Sequence, residues 1–152
     1  MEEKKDMLEQ LHARFEISGR ESGNYSPLTL AYMGDAVYEI IIRTLVVEGG
    51  NGTVNILHRR SSSLVNAGAQ AQIMAAIEKE LSEEELTIYK RGRNAKSHTS
   101  AKNASILDYR VATGFEALMG WLYLEGNTER CIELVQSGLQ KIHSNKGTVP
   151  KK

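Results

Sequence analysis

Two acidic residues stand where hydrocarbon is expected. Asp35 lies within LAYMGDAVYEII and Glu116 within TGFEALMGWLYL, each a run that otherwise reads as the inside of a helix. Asp is a weak helix former in an interior position, and an unpaired buried carboxylate is costly. Gly34, beside Asp35, costs a helix about 1 kcal/mol against Ala, yet it lets another backbone or a ligand come close. Two locally unfavourable choices in succession point to a site rather than to scaffold. Carboxylates from two separate core helices can converge on a hard divalent cation, which prefers oxygen ligands. The bland alternative is equally open at this level: Asp35 pairs with Arg43 or another base, or faces water. Glu39, one turn after Asp35, reads as structural because Arg43 is one turn further on. Asp108 precedes Glu116 by eight residues, about 80° round a helix, and is a poor partner for it.

Other chemistries find little support. The histidines, His12, His58, His98 and His143, are scattered, with no HExxH or other paired-ligand spacing. GxSxG is absent, and so are the GxxxxGK[ST] and GxGxxG loops, so no nucleotide cofactor is expected. The single cysteine, Cys131, can form no internal disulfide, and among Ile132, Leu134 and Val135 it reads as a small buried hydrophobe.

Charge is balanced overall, at nineteen Lys and Arg against nineteen Asp and Glu, so net charge predicts no polyanionic partner. Its distribution says more. Leu86 to Asn103 carries Lys90, Arg91, Arg93, Lys96 and Lys102 with His98 and no acid. Gly49 to Ile77 is also free of acids and holds His58, Arg59 and Arg60. The acids gather instead at Glu78, Glu80, Glu83, Glu84 and Glu85. Arg91, Arg93, Asn94, Lys96 and Lys102 form a composition suited to phosphate contacts, against the bland reading of a solvated loop. Tyr89 is the only aromatic nearby, which favours shape and phosphate recognition of duplex RNA over stacking on single strands.

Helical spacing organises the rest of the chain, and no long alternation of β-type occurs. Residues 3 to 17 predict a first amphipathic helix with Leu8, Leu11 and Phe15 on one side. Ser26-Pro27 opens a long apolar helix that Gly49-Gly50 stops. A short helix follows to about Arg60, and the serine run at 61–63 is expected to begin the next. Ser82 and Glu85 have capping-box spacing for a helix ending near Gly92. A second apolar helix spans about 105 to 125, and Asn127 caps a last one ending near Ile142. The expectation is a single all-α domain of six to seven helices: an N-terminal helix and loop at 1–24, a catalytic unit at 25–142 and a disordered tail at 143–152. The acidic start MEEKKDM reads as no signal peptide, and Asp35, Glu39 and Arg43 interrupt the most apolar segment, so a cytoplasmic protein without a membrane span is expected.

In this order and spacing, LAYMGDAVYE, KRGRNAKS and TGFEALMGWLYLEG resemble the ribonuclease III family, in particular its Mini-III branch, over roughly Ser26 to Gln140. The resemblance implies a homodimeric, magnesium-dependent endoribonuclease for double-stranded RNA that trims the ends of the large-subunit (23S) ribosomal RNA precursor. It implies Asp35 and Glu116 as the catalytic, metal-holding pair. The fuller family has further acids where this chain has Leu28, Ala31 and Thr113, and larger relatives append a double-stranded-RNA-binding domain that the C-terminal tail is too short to hold. A non-catalytic RNA-binding or ribosome-associated helical domain is the competing function. Twofold symmetry of the duplex backbone also favours a closed dimer, with Leu28, Leu30, Tyr32 and Met33 as the expected interface and Trp121 and Tyr123 as weaker candidates.

Overall fold

A computed structural model describes residues 5–19, 24–95 and 105–145. Among these residues the chain is helical throughout: α1 Met7–Phe15, α2 Pro27–Glu48, α3 Val54–Val65, α4 Ala67–Ile77, α5 Glu83–Asn94, α6 Ile106–Leu124 and α7 Thr128–Asn145, with a 3-10 turn at Glu78–Glu80. The caps are those that side-chain chemistry favours. Ser26, Thr53, Ser82 and Ser105 each accept from the backbone N–H of the third residue on, and Ser82 with Glu85 completes a capping box. Asn127 accepts from the N–H of Arg130 at 3.3 Å and starts α7. Gly126, at φ +79°, turns the chain out of α6.

The core is one cluster centred on α2 and α6. Tyr38, Ile42, Phe115, Leu118 and Met119 are sealed within it, with Ile73, Met74 and Ile77 from α4 and Leu134 and Val135 from α7. Tyr38 meets Phe115 edge-on at 5.2 Å between ring centres, and its hydroxyl donates to the Leu64 carbonyl at 2.6 Å, tying α2 to α3. Arg130 of α7 reaches back to Glu85 at the start of α5, with Nε–Oε2 at 2.9 Å, and to the Glu80 carbonyl at 2.9 Å. No helix is long and apolar enough to cross a membrane among the described residues. Cys131 is fully buried with its Sγ on the Met119 carbonyl at 3.5 Å, and burial pushes the thiol up to about 12.

Several boundaries differ from the sequence expectation. Helix α1 is shorter and buries no residue; Phe15 is largely exposed. The serine run closes α3 instead of opening α4. Ser61 bonds back to the Leu57 and His58 carbonyls, so these hydroxyls serve the helix interior and free no cap. The break falls at Asn66, whose side chain accepts from Ala69 N–H at 2.8 Å and donates to the Ser62 carbonyl at 3.1 Å. Gly92 does not stop α5, which continues through Asn94. Helix α7 runs through Asn145, past Ile142, with His143 suiting the negative end of the helix dipole. Of the proposed interface, Leu30 and Trp121 belong to the core, each buried in its cluster, whereas Tyr32 is 80% exposed and Leu28 is exposed one turn before it.

Candidate active site

Glycines set the site. A Cβ on Gly34 would lie 1.6 Å from the Glu116 carbonyl oxygen, and one on Gly120 would lie 2.0 Å from the Leu30 carbonyl oxygen. Helices α2 and α6 therefore cross with their backbones in contact, closer than side chains ordinarily permit. This crossing accounts for the Gly34-Asp35 pair in the sequence: the glycine makes the approach and the next residue carries the carboxylate. Asp35 is exposed and Glu116 half-buried, so one acid stands at the rim and the other deeper. The two carboxyls are close enough for the Asp35 charge and side chain both to act on Glu116.

Their electrostatics follow from that placement. Burial first, and then the neighbouring Asp35 charge and hydrogen bond, push the Glu116 carboxyl up to about 8; an amide contact from Gln70 opposes the rise. Glu39 is instead bonded to Arg43 at 2.9 Å and takes no part. No third carboxylate, histidine or cysteine joins the pair among the described residues.

A neutral residue does join it, which the sequence reading missed. Gln70 of α4 is buried, its Nε2 donates to the Val65 carbonyl at 2.8 Å, and its amide acts on the Glu116 carboxyl, holding its pKa down against the effect of burial. Its Oε1 is buried without a hydrogen-bond partner. The only sequence-level signal is a long polar side chain within AGAQAQIMAA, a segment that otherwise reads as core. A divalent cation fits this donor set. Opposite charge would relieve the repulsion between two neighbouring carboxylates, which supply the oxygen ligands a hard cation prefers.

The basic residues sit on the neighbouring helix. Gly92 brings the last turn of α5 onto α6, where a Cβ would lie 2.7 Å from Ala117 Cβ and 2.9 Å from Gly114 Cα. Arg91 and Arg93 flank that contact, so they stand at the level of Glu116 along α6. Arg93 lies over the Tyr89 ring at 5.5 Å, and its Nε donates to Asn94 Oδ1 at 3.3 Å. Lys96, His98 and Lys102 lie outside the described residues.

The comparisons agree with this geometry. The Ribonuclease III domain model matches residues 28–127, which contain both carboxylates and the end of α5. The Mini-ribonuclease 3 of Clostridium tetani is 50% identical over 122 residues, covering 80% of this chain and 81% of that protein. That of Enterococcus faecalis is 50% identical over 125 residues, covering 81% and 95%. A crystal structure of a protein from Fusobacterium nucleatum superposes with a TM-score of 0.70 at 30% identity, covering 78% of this chain and 94% of that one. A glycine-mediated crossing of two apolar helices, one carboxylate on each, within a match of this extent leads to one conclusion: the chain belongs to the ribonuclease III family, in its Mini-ribonuclease 3 branch.

Proposed function

We propose that the protein is an endoribonuclease that hydrolyses double-stranded RNA with magnesium at Asp35 and Glu116. The observation that carries the reading is the backbone-close crossing of α2 and α6, which sets one of these carboxylates on each helix, inside the family match. Asp35 and Glu116 would hold the cation, with Glu116 giving up its proton to do so. When bound, the cation lowers the pKa of a coordinated water and offsets charge at the scissile phosphate. Arg91, Arg93 and Asn94, with Lys96 and Lys102, contact the duplex backbone and bring a phosphate to the carboxylates. Family membership supports maturation of the 23S ribosomal RNA precursor as the cellular task in the cytoplasm, and a homodimer that presents one centre to each strand.

Incubating the protein with a perfect RNA duplex in Mg²⁺ or EDTA tests this. Cleavage only with Mg²⁺, leaving 5′-phosphate and 3′-hydroxyl ends, is expected. Duplex binding without any cutting would identify a non-catalytic RNA-binding domain instead.

A further inference from the structure

The acid-free segment from Gly49 to Ile77 carries a second group of cations that the centre described above does not use. Other cations of the fold have carboxylate partners: Arg43 pairs with Glu39, Arg130 with Glu85 and Glu133, and Lys141 with Glu80. Arg59 and Arg60 are exposed on α3, and neither enters an ion pair among the described residues. Their charge is therefore uncompensated, and it raises the positive potential over that side of the molecule.

Packing puts this charge near the carboxylates. The last turn of α3 is fastened to α2 by Tyr38, whose hydroxyl donates to the Leu64 carbonyl at 2.6 Å. Tyr38 follows Asp35 by about 4.5 Å along α2, and Arg60 precedes Leu64 by about 6 Å along α3. The arginines thus stand about one turn out from the place where α3 meets the stretch of α2 that bears Asp35. Helix α3 packs on α2 and α5 packs on α6. Since α2 and α6 cross beside the carboxylates, one basic helix attends each arm of the crossing. The acids stand apart from it. Glu78, Glu80, Glu83 and Glu84 follow α4, an eleven-residue helix about 16 Å long that leads the chain away from the end of α3.

Unpaired guanidinium groups on a folded helix suit phosphate oxygens, which match the planar fork of arginine. Single strands would call for stacking rings, and α3 has no Phe, Tyr or Trp. A duplex instead offers the phosphates of two strands on either side of a shallow groove, so one lying over the carboxylates extends past them in both directions. We propose that Arg59 and Arg60 form a second phosphate-contacting surface for duplex RNA, holding its backbone on the α2 side of the centre while α5 holds it on the α6 side. The proposal rests on the reading of the protein as a duplex endoribonuclease centred on Asp35 and Glu116. Contacts of this kind position the duplex without reading its sequence, and they take no part in hydrolysis.

The test measures duplex binding in EDTA across a salt series, and cleavage in Mg²⁺ across a range of RNA concentrations. Wild type is compared with Arg59→Ala/Arg60→Ala and with Arg59→Lys/Arg60→Lys, all as the full chain. The alanine pair should weaken binding of unrelated duplexes alike and lower the slope of log K against log salt by about two. Its KM should rise with kcat unchanged, since the carboxylates are untouched, and its Tm should stay at the wild-type value because both side chains are exposed. The lysine pair keeps both charges and should keep the wild-type slope. Joined to Arg91→Ala/Arg93→Ala, the alanine pair should lower the slope by about four. An unchanged slope in the alanine pair overturns the proposal and leaves the patch to another partner, such as an acidic protein. A fall in kcat with KM unchanged overturns it as well. A wild type that neither binds nor cuts a duplex would instead overturn the reading on which the proposal rests.

Discussion

At the scale of single residues, Glu116 makes a thermodynamic statement about the site. Its carboxyl is raised to about 8 in the fold from the ordinary value of 4.5. The folded chain therefore binds more protons at this group than the unfolded chain between those two values. Stability contributed by Glu116 is greatest below pH 4.5, is lost as pH rises toward 8, and is flat beyond it. Thermal melts across that range, in EDTA, should show this decline in the wild type and a shallower one in Glu116→Gln. Above pH 8 the variant should melt higher than wild type, because removing one of two crowded charges relieves repulsion. Equal slopes would mean that the fold does not raise the Glu116 carboxyl. Asp35 and Glu116 were legible in the sequence because charge inside an apolar run is locally unfavourable. Gln70 was not, since an uncharged polar side chain in a helix needs no explanation until its surroundings are known.

Among the elements, the crossing of α2 and α6 does most to place the chemistry. Gly34→Ala would drive a methyl into the Glu116 carbonyl, a backbone atom with no rotamer to escape into. The expected loss is about 3 kcal/mol or more, a fall of roughly 10 °C in Tm for a chain of this size. A Gly34→Ala protein that melts and cuts like wild type would show that the helices do not touch there. Gly49 and Gly126 were readable as helix ends and Gly34 as a place of close approach, whereas Gly92 and Gly120 also serve approach between helices, which local sequence does not distinguish from a stop. The serine run misled for a related reason: a serine hydroxyl can cap a helix or bond back within one, and Asn66 took the cap. Helix α5 carries its own prediction. Alanine at both Arg91 and Arg93 should weaken duplex binding for different sequences alike, and should lower the salt slope of log K by about two. An unchanged slope would move the phosphate contacts elsewhere, with exposed Arg59 and Arg60 on α3 the alternative.

For the whole molecule, the helical class and the two core helices could be read from periodicity and caps alone, while the surface left for a partner could not. Apolar residues surround α2 in sequence, but α6 covers the side bearing Leu30, and the side bearing Tyr32 stays open. If the protein is a closed dimer through that surface, Tyr32→Asp should sediment as a monomer at micromolar concentration and lose most of its cleavage, with its Tm nearly unchanged because the side chain is exposed. A wild-type monomer that cuts both strands would contradict the dimer.

The central claim, that Asp35 and Glu116 form the centre that cuts duplex RNA, is tested most directly by removing each charge at constant size. Cleavage of one RNA duplex in Mg²⁺ is followed for wild type, Asp35→Asn and Glu116→Gln, with a melting curve of each protein taken in EDTA, where no cation can stabilise the wild type alone. The account predicts that cleavage is lost in both variants while each melts at or above the wild-type temperature. Cutting at the wild-type rate by either variant, or a Tm far below wild type, would contradict it, for the carboxylate would then be dispensable or a structural partner.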